Sequence, residues 1–129
     1  METDTNLIVD FTIDFSLQLI TYCETLDNEK KYVLSRQLLR AGTSVGANVH
    51  EAQSPESRAD FIHKMKIAAK EAVETEYWLI LCKNSSFYPA CDHLLAKLLS
   101  IQKIISKIIS SAKKGLWVKI HLLLLSLFY

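Results

Sequence analysis

The stretch LSRQLLRAGTSVGANVHEA (residues 34–52) contains a regular, largely apolar seam. The seam advances in alternating steps of four and three residues and comprises Leu34, Leu38, Ala41, Val45, Asn48 and Ala52. Steps of four and three keep side chains on one face of an α-helix. A heptad-like seam of this kind suits helices that pack nearly antiparallel at about 20°. The sequence therefore predicts a long helix over about residues 29–52, packed inside a helical bundle.

Three further segments carry the same spacing and are also predicted to be helices, over about residues 7–26, 55–84 and 92–113. Their seams are Phe11, Phe15, Leu19, Tyr22 and Leu26 in the first helix; Phe61, Met65, Ala68, Ala72, Thr75, Leu79 and Cys82 in the third; and Leu94, Leu98, Ile101, Ile105, Ile108 and Ala112 in the fourth. No useful length of the chain alternates with the period of two that is typical of strands. The predicted fold class is therefore all-α.

The connections between these helices are short. Asp27-Asn28 has turn and capping chemistry, and Ser54-Pro55 is a typical start of a helix. Loops of about two to eight residues between long helices favour an antiparallel, up-down-up-down four-helix bundle. Gly115 is expected to end the fourth helix, so the bundle is assigned to residues 1–115 as a single domain.

The last fourteen residues, LWVKIHLLLLSLFY (116–129), form a tail that we expect to lie outside the bundle. The tail is apolar but contains Lys119 and His121, and it is shorter than the roughly 20 apolar residues that span a bilayer. A membrane partner is therefore not expected. The N-terminus carries acids rather than the Lys or Arg of a secretion signal, and three scattered cysteines indicate reduced thiols. The predicted location is the cytoplasm.

Two of the predicted helices are too apolar to have only one buried face. Leu95, Leu99, Ile104 and Ile109 flank the seam of the fourth helix, and residues 77–81 of the third are apolar all the way round. Exposed apolar patches usually mark protein interfaces. We therefore expect a homo-oligomer, and the alternative is that these residues only widen the core-facing stripe.

The second helix contains two glycines, Gly42 and Gly46, each costing about 1 kcal/mol relative to alanine inside a helix. Small residues let another helix approach closely, and Ala68, Ala69 and Ala72 of the third helix offer a matching flat surface. The glycines therefore predict a close helix–helix contact.

Asn48 lies in the predicted seam, where an unsatisfied amide would cost about 1–3 kcal/mol. Ser44, one turn earlier, and Glu51 or Glu74 are candidate partners. Ser44, Asn48 and Glu51 are therefore predicted to form a structural polar cluster that fixes the register of the helices. A binding or catalytic role for this cluster is the alternative.

Charge is distributed unevenly along the chain. Residues 1–29 hold seven acids and no Lys or Arg, whereas residues 93–129 hold six Lys and no acid. Lys103, Lys107 and Lys114 are spaced to share one face of the fourth helix, away from its seam, and are candidates for contact with nucleic-acid phosphates. The alternative is that acids of the first helix, such as Asp10 and Asp14, pair with these lysines.

The sequence offers little support for catalysis. Arg58 and His63 have an Arg-x4-His spacing that occurs in some all-α ribonuclease toxins, but a helix meets this spacing easily by chance. The four histidines are scattered, and the sequence has no metal-binding motif and no Gly-rich phosphate loop. We therefore expect no catalytic residues, no metal and no cofactor.

The segments SRQLLRAGTSVGANVHEAQ (35–53) and ADFIHKMKIAAKEAVETEYWLILCK (59–83) resemble the bacterial four-helix-bundle family first found encoded within intervening sequences of 23S rRNA genes. The resemblance covers about residues 7–110, and the fold is similar to that of the accessory protein of diversity-generating retroelements. It implies an antiparallel bundle without enzymatic activity that assembles into a ring, typically of five subunits. It also implies a structural role for Ser44, Asn48 and Glu51.

The functional expectation is therefore a non-enzymatic, homo-oligomeric bundle that binds RNA or a nucleoprotein partner through basic helix surfaces. The retroelement relatives that the resemblance implies are thought to bind nucleic acid and reverse transcriptase through such surfaces. Two alternatives stay open. The first is a protein scaffold without affinity for nucleic acid, and the second is a ribonuclease-like toxin that uses Arg58 and His63.

Overall fold

The computed structural model describes residues 4–116, 122 and 125–127 of the chain. It contains four long α-helices: α1 (Asp4–Asn28), α2 (Tyr32–Ala52), α3 (Arg58–Asn84) and α4 (Asp92–Ser111), and a π-helical turn (Ala112–Leu116) follows α4. The described residues form no strand, and the all-α prediction is confirmed. Most of the predicted tail lies outside the described residues, so the division at residue 115 stays a prediction.

The four helices enclose one hydrophobic core. α1 and α3 each pack against both α2 and α4, and buried side chains from all four helices form a single cluster. Burying a side chain the size of Leu or Phe contributes roughly 1.5–3 kcal/mol. Hydrophobic burial along the four seams is therefore the main source of stability in this fold.

The predicted seams of α3 and α4 coincide with the buried residues of these helices. All seven predicted seam positions of α3 are buried. All six predicted for the fourth helix are buried as well: five lie in α4, and Ala112 directly follows it. On α1 the match is close: Phe11 is only half-buried, and Ile8, Thr12 and Cys23 complete the buried face. A regular seven-residue repeat was therefore sufficient to locate the core side of these helices.

On α2 four of the six predicted seam positions are buried: Leu38, Ala41, Val45 and Ala52. The other two, Leu34 and Asn48, are half-buried, and their neighbours Ser35 and Val49 are buried instead. Ser35 donates a hydrogen bond from Oγ to the carbonyl oxygen of Cys23 of α1 at 3.1 Å.

The helix boundaries differ from the predictions at two connections. α1 continues to Asn28, and the chain turns at Lys30, whose φ of 62° places it in the left-handed region. Ser57, rather than Ser54, is the N-cap of α3, because its hydroxyl accepts a hydrogen bond from the Asp60 amide at 3.0 Å. Both Ser54 and Ser57 have suitable capping chemistry, and the local sequence did not distinguish them.

α1 approaches α2 closely at Gly42. A Cβ atom at this position would overlap Leu19 Cδ2 and would lie 3.5 Å from Thr75 Cγ2 of α3. At Gly46 an added Cβ would meet Thr12 Cβ at 3.3 Å, which is tight but does not overlap. Leu19 is fully buried, so its side chain has little room to move away.

We expect Gly42→Ala to lower the free energy of unfolding by about 1 kcal/mol. Overpacking against Leu19 costs about 1–3 kcal/mol, and alanine recovers about 1 kcal/mol of helix propensity. Gly46→Ala is the matched control and should be neutral or stabilising, because the same gain meets a weaker clash. Urea denaturation of both variants measures the difference. Equal stabilisation by the two substitutions would contradict the close contact at Gly42.

Candidate functional site

Polar side chains line the edge where α2 and α3 meet. Arg40 Nη2 lies 2.5 Å from Glu74 Oε2, and Arg40 Nη1 lies 3.6 Å from Glu71 Oε2. The hydrogen bond from Arg40 lowers the pKa of the Glu74 carboxyl, and the bond to Glu74 raises the pKa of Arg40. In the last turn of α2, Glu51 pairs with Lys64 of α3 at 3.1 Å. These ion pairs stabilise the contact between the two helices at the protein surface.

Ser44, Asn48 and Glu51 lie at this same edge. Ser44 donates from Oγ to the carbonyl oxygen of Arg40 at 2.6 Å, and Asn48 donates from Nδ2 to the carbonyl oxygen of Ser44 at 2.8 Å. The hydrogen bonds of Ser44 and Asn48 are thus made within their own helix. Glu51 is exposed, and its partner is Lys64.

The predicted buried position of Asn48 needs correction, because Val49 occupies that position in the core. Asn48 is half-buried and satisfies its amide locally, so it does not carry the desolvation cost that the sequence suggested. The candidate partner Glu74 instead pairs with Arg40.

Lys103 and Lys107 are exposed and lie one turn apart on the outer side of α4. They face away from the buried seam of Leu98, Ile101 and Ile105. Lys114 is also exposed, but it lies in the π-helical turn that follows α4. A π turn changes the number of residues per turn, so the spacing that would align Lys114 with Lys107 in a continuous α-helix does not apply there.

The acidic and basic helices do contact each other, but through a lysine that sequence reasoning did not single out. Lys97 Nζ forms an ion pair with Asp14 Oδ2 and lies 5.3 Å from the centroid of the Phe11 ring. Asp14 also accepts a hydrogen bond from Gln18 Nε2 at 2.9 Å. Lys97 and Asp14 therefore form an ion pair between α4 and α1.

Arg58 binds the C-terminal end of α4. Its Nη2 atom donates hydrogen bonds to the carbonyl oxygens of Ala112 and Lys113, the latter at 2.9 Å. Carbonyl groups at the end of a helix lack partners within the helix and carry partial negative charge, which a guanidinium group satisfies. Sequence reasoning missed this cap because the two partners are more than fifty residues apart in the chain.

The proposed ribonuclease pair does not form a shared site. His63 follows Arg58 by five positions in the chain, and this spacing corresponds to about 140° around an α-helix. His63 is exposed, while Arg58 is directed at the end of α4.

The three cysteines are buried and reduced. Burial raises the pKa of the Cys23 thiol to about 11 and also raises the pKa values of Cys82 and Cys91. The thiols are therefore protonated near neutral pH, and the thiolate that would act as a nucleophile is disfavoured. Nearby, Tyr22 donates its hydroxyl hydrogen bond to the carbonyl oxygen of Pro89 at 2.8 Å, which ties α1 to the loop before α4.

Within residues 4–116, 122 and 125–127, no group of three or more His, Cys, Asp or Glu side chains is placed to hold a metal ion. No helix in the same part of the chain is long and apolar enough to cross a membrane.

Residues 5–109 match the family described as 23S rRNA-intervening sequence protein. The chain belongs to this family. Among solved structures it is similar to a protein of unknown function from the S23 ribosomal protein family of Bacteroides thetaiotaomicron, with a TM-score of 0.80 and 39% sequence identity. The match covers 84% of this chain and 99% of that chain. No curated protein matches the sequence significantly.

Membership of the 23S rRNA-intervening sequence protein family confirms the resemblance carried by residues 35–53 and 59–83. The relation to the accessory protein of diversity-generating retroelements is not shown by these matches and stays an expectation.

We expect Arg58→Ala to lower the free energy of unfolding by about 1–3 kcal/mol, because it removes charge-assisted hydrogen bonds from the end of α4. His63→Ala, at an exposed position of the same helix, should change stability by less than about 0.5 kcal/mol. Urea denaturation measures both effects. If the parent protein cleaves labelled RNA and His63→Ala does not, the result would support the ribonuclease alternative over a purely structural role for this pair.

Proposed function

We propose that this protein is a non-enzymatic, homo-oligomeric helical bundle that binds RNA, alone or within a nucleoprotein, through the basic outer face of α4. The observation that carries the oligomer is the presence of large apolar side chains at the surface of several helices. The observation that carries the RNA contact is the exposure of Lys103, Lys107 and Lys114.

The arrangement proposed for the subunit is an antiparallel, up-down-up-down bundle. In support, the end of α1 contacts the start of α2, where Ser35 binds the carbonyl oxygen of Cys23. The end of α2 contacts the start of α3 through Glu51 and Lys64. The end of α3 likewise contacts the start of α4, where Lys83 Nζ lies 3.1 Å from Asp92 Oδ1.

Assembly into a ring of subunits is supported by apolar side chains that the monomer leaves exposed. Leu17 of α1 is 61% exposed, and Val73 and Tyr77 of α3 are 60% and 55% exposed. Leu99 of α4 is 50% exposed. Large apolar side chains exposed on several helices are costly to leave in water and favour interaction sites. The family resemblance favours five subunits.

Binding of RNA is supported by the distribution of charge on α4. Lys103 and Lys107 are exposed on the outer side of α4, and Asp14 of α1 pairs with Lys97. In a symmetric ring the same lysines recur on every subunit, so a modest charge on one chain becomes a band of positive potential. Such a band favours a partner with a regular array of phosphates.

A non-enzymatic function is supported by the roles that candidate catalytic groups already fill. Arg58 caps α4, and the buried thiols have raised pKa values. Reduced, buried cysteines also fit a reducing compartment, so we propose the cytoplasm as the location.

The second candidate is a scaffold ring without affinity for nucleic acid. The ion pair between Lys97 and Asp14 favours this alternative, because it shows that part of the basic charge of α4 is neutralised within the subunit. The formal net charge of only +1 points the same way.

Light scattering on the purified protein tests the oligomer. We expect a single species with a mass several times the 14.7 kDa of the chain, and five times this mass for the ring favoured by the resemblance. A uniform 14.7 kDa species at micromolar concentration would overturn the homo-oligomeric function.

Filter binding with single-stranded RNA at increasing salt tests the nucleic-acid contact. Each neutralised phosphate should add about 0.7–0.9 to the slope of log affinity against log salt. The double variant Lys103→Glu, Lys107→Glu should lose RNA binding and keep its mass by light scattering. The matched control is Lys30→Glu, Arg36→Glu, which changes the net charge equally at exposed positions away from α4. Absence of RNA binding by the unmodified protein at low salt would leave the scaffold alternative.

A further inference from the structure

The outer face of α1 carries an apolar stripe between two acids. Asp10, Ile13, Leu17, Ile20 and Glu24 are all exposed and follow one another in steps of three and four residues. This spacing places them on a single face of the helix, opposite the buried seam. Three large apolar side chains in a row at the surface indicate that a partner helix packs against them.

The outer face of α3 carries a stripe with the same spacing. It comprises Lys70, Val73, Tyr77, Ile80 and Asn84, with Lys83 beside its last position. Each of the five stripe positions is 60 residues after its counterpart on α1. The three apolar residues therefore occupy the same relative positions in both stripes. Here Lys70 takes the place of the first acid and Lys83 lies beside the last position. Glu74, which pairs with Arg40, and Glu76 also lie next to this stripe. The apolar residues of the two stripes thus have the same spacing, and the ends of the stripes are acidic on α1 and basic on α3.

The two stripes also run in the same direction at nearly the same height. In the proposed bundle α1 and α3 are both antiparallel to α2, so they are parallel to each other. A Cβ atom at Gly42 would meet both Leu19 of α1 and Thr75 of α3, which puts these two residues at one level. If the two stripes lay exactly level, residues 60 positions apart would be at the same height. Leu19 and Thr75 depart from this separation by four residues, which corresponds to about 6 Å along a helix. Rotation about an axis along the bundle would bring the stripes of two copies together within about one helical turn.

Charge selects which stripes can meet. Two α1 stripes in parallel would bring Asp10 and Glu24 against the same acids, and two α3 stripes would oppose their lysines. An α1 stripe beside an α3 stripe instead places Asp10 near Lys70, and Glu24 near Lys83, which also pairs with Asp92 of its own chain. Like charges in contact disfavour the first two arrangements, and opposite charges favour the third.

The surface beside the α1 stripe can receive an aromatic side chain. Ile13 and Leu17 form one wall of a groove of about 480 Å³ between α1 and α2, and Gly46 and Ala47 belong to the α2 wall. The Tyr77 ring projects from the α3 stripe and is supported from one side by an edge-on contact with Trp78, at 5.2 Å between centroids. A glycine and an alanine in the wall leave room for a ring that a larger side chain would exclude.

We propose that the α1 stripe of one copy of this chain binds the α3 stripe of the next copy, in parallel, with Tyr77 entering the groove between α1 and α2. The interface is heterologous, since the two copies contribute different surfaces. Heterologous contacts produce closed rings when the rotation between copies closes. This inference rests on the proposed homo-oligomer and specifies the surfaces that form it.

A complementation experiment tests the proposal. Leu17→Glu disrupts only the α1 stripe, and Tyr77→Glu disrupts only the α3 stripe. Both residues are exposed in the monomer, so circular dichroism should show unchanged helix content. By light scattering each variant alone should be a monomer of 14.7 kDa. An equimolar mixture should form a heterodimer of twice that mass, because each variant retains the surface that the other lacks.

Val33→Glu is the matched control. Val33 is 70% exposed on α2 and lies outside both stripes, so this variant should keep the mass of the parent. If the parent and both stripe variants remain oligomeric, the interface lies elsewhere and only the present proposal fails. If the parent is itself a monomer, the proposed homo-oligomer fails.

A charge reversal provides a second, independent measurement. Asp10→Lys alone and Lys70→Asp alone should each shift the oligomer toward monomer, because each creates a like-charge contact between copies. The double variant restores an opposite-charge pair and should recover the mass of the parent. The proposal would be overturned if mixtures of the two single variants stay monomeric and the double variant does not recover the mass of the parent.

Discussion

The close approach of α1 to α2 at Gly42 is the constraint on which the rest of the structure depends. A Cβ atom added at Gly42 would overlap Leu19 Cδ2, and Thr75 of α3 lies within contact distance of the same point. Three helices thus meet around one glycine, which fixes their relative heights. The glycine costs about 1 kcal/mol in helix propensity, and the burial of Leu19 offsets this cost.

Much of the fold could be predicted because helix seams are a local property of the sequence. The seams of α3 and α4 were located correctly, since each contains a single regular repeat of large side chains. Four of the six seam positions predicted for α2 are buried, but Ser35 and Val49 are buried in place of Leu34 and Asn48. A pattern of apolar residues favours Leu34 over Ser35, so this difference could not be predicted from spacing. Helix starts were misplaced where Ser54 and Ser57 offered the same capping chemistry. The choice there depends on where the chain must enter the bundle.

The polar contacts were much less predictable, because they join residues that are distant in the chain. Arg58 caps α4 and Lys97 pairs with Asp14, and neither contact follows from spacing within one helix. The exposure of Lys103 and Lys107 could be predicted, since it depends only on the seam of their own helix. The seam pattern placed Asn48 in the core, but Val49 is buried there and the Asn48 side chain lies half-buried at a polar edge.

The acids of α1 help to reconcile a nearly neutral chain with the basic surface that we propose on α4. On its inner edge α1 neutralises Lys97 within the subunit through Asp14. In the proposed assembly its outer acids, Asp10 and Glu24, face lysines of α3 on the neighbouring copy. Both contacts remove charge at helix interfaces, and neither uses the outer face of α4, where Lys103 lies. A net charge of +1 is therefore compatible with a localised basic band, because the field that a phosphate backbone meets depends on where charges lie and not on their sum.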